Sequence, residues 1–355
     1  MASSMLEFRT PGFNPYAVKY SPYYDSRIAV ASAANYGIVG NGRLFCLGLG
    51  PQGVQVEKMQ VVFDTNDAQY DLAWSEINES QLLVACGDGS IKLYDVNVND
   101  FPVMNFHEHK RETFSVAWSP ITKDTFASSS WDGTVKIWSP ARKESITTLP
   151  VGNCTYSTNY CPSNPNIISA VSTDSHLRVF DLRTPVSAQY HLTVKIPVHQ
   201  PPPVPLPPGI APPAMPAEIL AHDWNKYRDT VIATGGVDRV IRTFDIRNPA
   251  AGPMSLIMGH EYAIRRLAWS PHAADVLISG SYDMTVRLWT DGSTMDTDSA
   301  SPIKRGVQLG VMNRHTEFVT GVDWCLFGVG GWVATVGWDE RLLLWDANMI
   351  LQGRV

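Results

Sequence analysis

The stretch WDGTVKIW occupies residues 131–138, YDMTVRLW follows at 282–289 and WDERLLLW at 338–345. In each, an Asp stands six residues ahead of an aromatic residue. The same interval holds at Asp88–Tyr94, Asp132–Trp138, Asp174–Phe180, Asp238–Phe244, Asp283–Trp289 and Asp339–Trp345. A weaker copy, Asn41–Leu47 in GNGRLFCL, lies 47 residues before Asp88. The Asp positions are spaced by 44, 42, 64, 45 and 56 residues. Between the copies the chain reads as short strands with alternating apolar residues, broken by Gly, Asp, Ser and Pro turns, with almost no helical periodicity.

A second marker runs in phase with the first. His109, His260 and His315 each sit nine residues before a Trp, and 23, 23 and 24 residues before the Asp of the same repeat. His199 precedes Trp224 by 25, but PPPVPLPPGIAPPAMP, residues 201–216, lies between them. Without those sixteen residues the intervals are again nine and 23. The 56-residue gap likewise carries a polar stretch, DGSTMDTDSASP, within a loop at 291–305 that is expected to be flexible. Repeats of about 40–45 residues with four strands each identify an all-β WD40 β-propeller. Seven copies predict seven blades in a single domain over 1–355, the ring closed by the N-terminal strand from MLEFRT, residues 5–10.

The spacing also predicts what holds a blade together. A Ser or Thr stands four residues before the Asp at Ser128, Thr234, Ser279 and Thr335. The expected buried networks are His109, Ser128, Asp132 and Trp138; His199, Thr234 and Asp238; His260, Ser279, Asp283 and Trp289; and His315, Thr335, Asp339 and Trp345. A buried carboxylate needs such donors, because leaving it unpaired costs several kcal/mol. Ser279, His260 and Asp283 are also the ingredients of a hydrolase triad. Recurrence of the set in four repeats makes it a building block, and no catalytic residue is expected.

Composition narrows the function further. The chain has 355 residues, 44% hydrophobic and 17% charged, with net charge −6 and a pI near 5.8. An acidic chain with only short basic pairs is not expected to bind nucleic acid. Five cysteines without a Cys-x-x-Cys pair suggest neither a disulfide framework nor zinc. His107 and His109 lack an evident third ligand, so no metal or other cofactor is expected. No apolar run approaches the ~18 residues of a membrane span, and a cytosolic protein without direct membrane insertion is the default. The proline segment contains Pro-x-x-Pro, readable as a polyproline ligand or as a tolerated surface insertion. VFDLR at 179–183 and TFDIR at 243–247 resemble the box of propellers that act as substrate receptors of cullin-type ubiquitin ligases. A ligase receptor, or a generic WD40 scaffold, is therefore the alternative reading.

Several longer stretches are more specific. GHEYAIRRLAWSP (259–271), SYDMTVRLW (281–289), HTEFVTGVDW (315–324), AEILAHDWNKY (217–227), FDTNDAQYDLAWSE (63–76) and the N-terminal YAVKYSPYYDSRIAVASAANYGIVGNG resemble the peroxisomal receptors for type-2 targeting signals, a family of WD-repeat peroxins. The resemblance runs from about Phe13 to Asp346. It implies a non-catalytic import receptor that cycles between cytoplasm and peroxisome. Such receptors bind an N-terminal motif of matrix enzymes such as thiolase, basic–aliphatic at one end and His/Gln–aliphatic at the other, as an amphipathic helix. A co-receptor peroxin covers the helix and links it to the peroxisomal docking machinery.

The residues make independent sense of such a ligand. In WD propellers the positions one and three after the His, and the position before the Asp, face the top. These positions give Glu112, Glu218 and Glu261, with Asn66 and Asp67 at the matching place in the second blade, and the aromatics Trp131, Tyr282 and Trp338. Carboxylates interleaved with large aromatics suit a peptide that is basic on one side and aliphatic on the other. The bland alternative is that these carboxylates only solubilise the rim. Deleting 201–216 should leave folding and peptide binding intact, since the insert interrupts no hydrogen-bond spacing. The change in unfolding free energy should stay within about 1–2 kcal/mol.

Overall fold

A computed structural model describes residues 5–50, 53–56, 62–98, 101–187, 189–199, 217–294, 303–328 and 330–351. The proline insert 201–216 and most of the polar stretch at 295–302 lie outside these residues. Seven sheets follow one another along the chain, built on four antiparallel strands that in the first six run in sequence order from the inside outwards. Blades one to six begin at Asn14–Tyr20, Gln69–Trp74, Thr113–Trp118, Thr155–Tyr160, Ile219–Trp224 and Ile264–Trp269. The seventh comprises Val319–Trp324, Trp332–Gly337 and Arg341–Asp346, and its fourth strand is Met5–Arg9 from the N-terminus. Met5 pairs with Trp345 and Arg9 with Arg341, so the start of the chain closes the ring on its end.

Two outer edges depart from the four-strand rule. Val62–Thr65 adds to the third strand of blade one. Lys304–Arg305 pairs in parallel with Ser255–Met258 on the outside of blade five. The described ends of the 291–305 segment are thus held: Asp291 is buried against Arg228 at 2.7 Å, and the 304–305 pair is hydrogen-bonded to the neighbouring blade.

Burial explains why strand alternation is only partly visible. The second strand of each blade, such as Gln81–Cys86 or Val231–Gly236, is buried almost throughout. A sheet sandwiched between two others has no solvent face, so its central strands read as continuous apolar or small-residue runs. Seven apolar clusters fill the seven seams between adjacent blades. The seam between blades seven and one, for example, packs Val18, Ile28 and Val30 against Val336, Leu342 and Leu344.

The His networks form in blades three, six and seven. In blade six Trp289 Nε1 donates to Ser279 Oγ at 2.7 Å, Ser279 meets His260 Nε2 at 2.7 Å, and His260 Nδ1 meets Asp283 at 2.7 Å. An indole can only donate and a carboxylate can only accept, so the proton order along the chain is set. Ser279 is fully buried and engaged on both sides, which leaves it no access as a nucleophile. Burial alone would raise the Asp283 carboxyl. The His260 hydrogen bond and charge, with donors from Thr285 and the Glu261 amide, outweigh it and hold the group below the usual range. Blade three repeats the pattern through Trp138, Ser128, His109 and Asp132, and blade seven through Trp345, Thr335, His315 and Asp339.

Blade five departs from the expectation. His199 does meet Asp238, but its Nε2 has no partner among the described residues, and Thr234 Oγ1 turns to the Arg242 carbonyl. Phe244, which stands where the other networks have Trp, has no N–H, so the indole link is missing here, and Arg242 joins His199 on Asp238. A comparable network appears one seam away, unforeseen from spacing. Trp224 Nε1 donates to Ser169 Oγ at 2.8 Å, and Ser169 meets His222 Nε2 at 2.7 Å, joining blade four to blade five.

Two outcomes follow. Asp283→Ala should lower the unfolding free energy by about 3–5 kcal/mol in urea titrations, because several buried donors lose their acceptor; Thr234→Ala should cost only about 1 kcal/mol. The second concerns acid. Burial lowers the His222 imidazole from 6.5 to about 4. The unfolded chain therefore takes up this proton first, and stability should fall as pH drops from 6.5 towards 4, by up to about 1.4 kcal/mol per unit. His222→Gln should flatten that part of the pH dependence, read from urea midpoints across the range.

Candidate functional site

One irregularity repeats in every blade. The innermost strand slips register by one residue near its start, leaving Tyr16, Tyr70, Phe114, Tyr156, Leu220, Arg265 and Thr320 unpaired. Such a bulge re-aims one side chain out of the alternating pattern. Each of these residues stands four before the aromatic that ends its strand: Tyr20, Trp74, Trp118, Tyr160, Trp224, Trp269 and Trp324. The spacing was available in the sequence; its consequence requires the bulge.

Four of the seven are aromatic and belong to consecutive blades. Tyr16 meets Tyr70 edge-on at 5.1 Å, Tyr70 stacks on Phe114 at 4.5 Å, and Tyr156 meets Phe114 edge-on at 5.4 Å. Residues from the turns above extend the series. Trp131 stacks on Phe114 at 4.8 Å with planes 8° apart, and Trp338 packs on Tyr16 at 5.7 Å. Phe318 then joins Trp338 at 5.3 Å to Tyr282 at 4.7 Å. The sequence-predicted aromatics Trp131, Tyr282 and Trp338 are thereby linked through rings not foreseen from the repeat. Tyr156, Trp131, Phe114, Tyr70, Tyr16, Trp338, Phe318 and Tyr282 form one arc over six blades, leaving blade five outside it.

The carboxylates take unequal places. Asp67 and Asn66 are exposed, and Glu112 is half-buried beside Arg111 at 3.5 Å. Burial first, then the charges of Glu112 and Asp67, push the Tyr70 hydroxyl up. Glu218 accepts a hydrogen bond from Tyr156 Oη at 3.2 Å. Glu261 stands apart on blade six, where its backbone carbonyl accepts from Arg239 and its amide donates to Asp283.

Below the arc the channel is charged. Lys19 pairs with Asp323, Arg266 with Asp71 and Lys226 with Asp223. Arg265, 3% exposed, forms no ion pair among the described residues; its guanidinium lies 5.4 Å from the Phe114 ring centre, across from its own blade. Burial, then the neighbouring Arg266, lower its affinity for the proton. Arg265 Nη2, Trp131 Nε1 and Trp338 Nε1 are buried donors without a hydrogen-bond partner among the described residues. Each such group costs roughly 1–3 kcal/mol unless an acceptor arrives from outside.

The two FDxR boxes sit elsewhere. Arg183 and Arg247 each form a two-pronged pair with the Asp two residues earlier, at 2.6 Å to Asp181 and 2.5 Å to Asp245. Both lie at the far ends of their strands from Asp174 and Asp238, away from the aromatic arc.

The WD domain, G-beta repeat model matches residues 101–139, 252–290 and 306–346. The chain is 37% identical, over 96% of its length, to the peroxisomal targeting signal 2 receptor of Saccharomyces cerevisiae, 99% of which is covered. It is 39% identical over 97% of its length to peroxisome biogenesis protein 7 of Arabidopsis thaliana, 98% of which is covered. Against the peroxisomal targeting signal 2 receptor of Homo sapiens the identity is 36%, over 90% of this chain and 88% of the relative. With near-full-length identity to such receptors and seven sheets closed into a ring, the chain belongs to the family of peroxisomal targeting signal 2 receptors.

Proposed function

We propose that this protein is an import receptor for matrix proteins carrying an N-terminal type-2 peroxisomal targeting signal. The signal docks as an amphipathic helix across the aromatic arc, with its basic residues on Asp67, Glu112 and Glu218 and its aliphatic side against the rings. Asn66 and Glu261 border the same face. The observation that carries this reading is the arc itself, with the Glu218 carboxylate on Tyr156 and three buried donors that have no partner among the described residues. A face of that kind suits a ligand that brings apolar surface, cations and acceptors together.

The physics of a short helix explains a second component. Nine helical residues span only about 13 Å and are marginal alone in water. Ordering them on one surface uses part of the interaction energy, and a partner covering the exposed side recovers some of it. A co-receptor peroxin fills that role, covering the bound signal and passing the complex to the peroxisomal docking machinery. The receptor works without catalysis, taking up cargo in the cytoplasm and releasing it at the peroxisome.

Charge reversal tests the assignment. An exposed ion pair contributes only about 0.2–1 kcal/mol, but truncating one partner of a pair dried by a docked helix costs about 2–5 kcal/mol. Glu112→Lys with Glu218→Lys should therefore remove binding of a type-2 signal peptide in an anisotropy titration. The melting temperature should stay nearly unchanged, since neither residue belongs to the His networks. Undiminished affinity in the doubly reversed protein would sink the assignment of this face.

A further inference from the structure

The sequence AANYGIVGNG, residues 33–42, connects the second and third strands of blade one, and its backbone is unusual. Asn35 and Tyr36 both adopt left-handed conformations, at φ 49° and 57°. Such conformations are disfavoured in residues with a Cβ and persist only where surroundings impose them. Here the surroundings are the bulge tyrosines. Tyr16 Oη donates to the Tyr36 carbonyl at 2.6 Å and Tyr70 Oη to the Gly37 carbonyl at 3.1 Å. The Tyr36 amide donates to Asn14 Oδ1 at 2.9 Å, and its ring packs on Trp338 at 5.3 Å. Gly37, at φ +69°, admits no side chain, because a Cβ would lie 2.7 Å from Tyr16 Oη.

This fixed turn presents two aliphatic side chains to water. Ile38 is 84% exposed and Val39 70%. Asn35 Nδ2 closes the tip on the Val39 carbonyl at 3.2 Å. The chain leaving the tip runs hard against blade two: a Cβ on Gly42 would lie 2.5 Å from the Asp67 carbonyl. An exposed aliphatic pair thus stands on a pinned, strained turn whose exit, at Gly42, packs against the backbone of Asp67, itself an exposed residue. The complementary surface is aliphatic next to cationic, which is one side of an amphipathic basic peptide.

We propose that Ile38 and Val39 form a rigid finger that receives the aliphatic side chains of the docked signal, beside the Asp67 carboxylate that receives a neighbouring cation. This rests on the receptor reading above and adds to it the element that selects for aliphatic residues. Pre-organisation is the reason for the strain: a tip held in place loses little freedom when the ligand arrives.

The test uses full-length protein and a synthetic type-2 signal peptide, with a second peptide in which the aliphatic motif residues are Ser. Ile38→Ser with Val39→Ser should weaken binding of the first peptide roughly ten- to hundredfold, the loss expected for withdrawing two aliphatic contacts. The melting temperature should be unchanged, because both side chains are exposed. The penalty for the Ser-containing peptide should shrink on the variant, as coupled contacts require. Phe101→Ser, at a residue 73% exposed outside the arc, is the control and should bind as wild type. Unchanged peptide affinity in the double variant, with capture of the co-receptor alone impaired, would assign the finger to that partner and overturn the proposal. A wild-type protein that binds neither peptide would overturn the receptor reading along with it, so the two failures are distinguishable.

Discussion

Everything in this molecule depends on the pairing of Met5–Arg9 with Arg341–Asp346. Without that strand the seventh sheet would end in an open edge, and the seam between blades seven and one would join two ends of a horseshoe. With it, each blade is pressed between two neighbours and every seam carries a filled apolar cluster. Closure removes free edges and makes the central strands buried on both faces. It also sets the geometry of the channel, because seven inner strands must converge on one axis.

Convergence gives the repeated bulge its meaning. In a single sheet a one-residue slip would only re-aim one side chain. Repeated seven times around an axis, it sends a residue from every blade out of the alternating pattern, and Tyr16, Tyr70, Phe114, Tyr156 and Arg265 meet at one mouth. The blades are alike in backbone and different at that position. A repeated fold thus acquires a face with direction: rings over one side, the Arg265 guanidinium opposite, and the Glu218 carboxylate on Tyr156. The 33–42 turn exists on the same terms, since the hydroxyls of Tyr16 and Tyr70 hold it.

The His networks and the proposed peptide face divide the polar residues of the repeats by burial. Asp283 and Asp132 are enclosed with donors on both oxygens, so they act on stability. Glu112 stands three residues after His109, and Glu218 three after His199 once the sixteen-residue insert is left out, yet neither belongs to a His network, and each reaches its own partner, Arg111 or Tyr156. The same turns serve both tasks because one side of each turn faces the sheet and the other faces solvent.

The Asp-to-aromatic interval and the His-to-Trp interval by themselves determined the seven-bladed class, the closing strand and three of the four networks. These are local: each needs only a turn of fixed length and donors at fixed offsets. The carboxylates Asp67, Glu112 and Glu218 and the aromatics Trp131, Tyr282 and Trp338 were legible for the same reason, as turn positions. Three things were decided only by tertiary structure. In blade five the spacing is intact, yet Phe244 offers no indole donor and Thr234 Oγ1 turns to the Arg242 carbonyl rather than to His199. His222, Ser169 and Trp224 bond across a seam, between residues that no interval connects. The aromatic arc joins rings from six blades, and contact between Phe114 and Arg265 exists only because the ring closes and brings opposite strands together across a narrow channel.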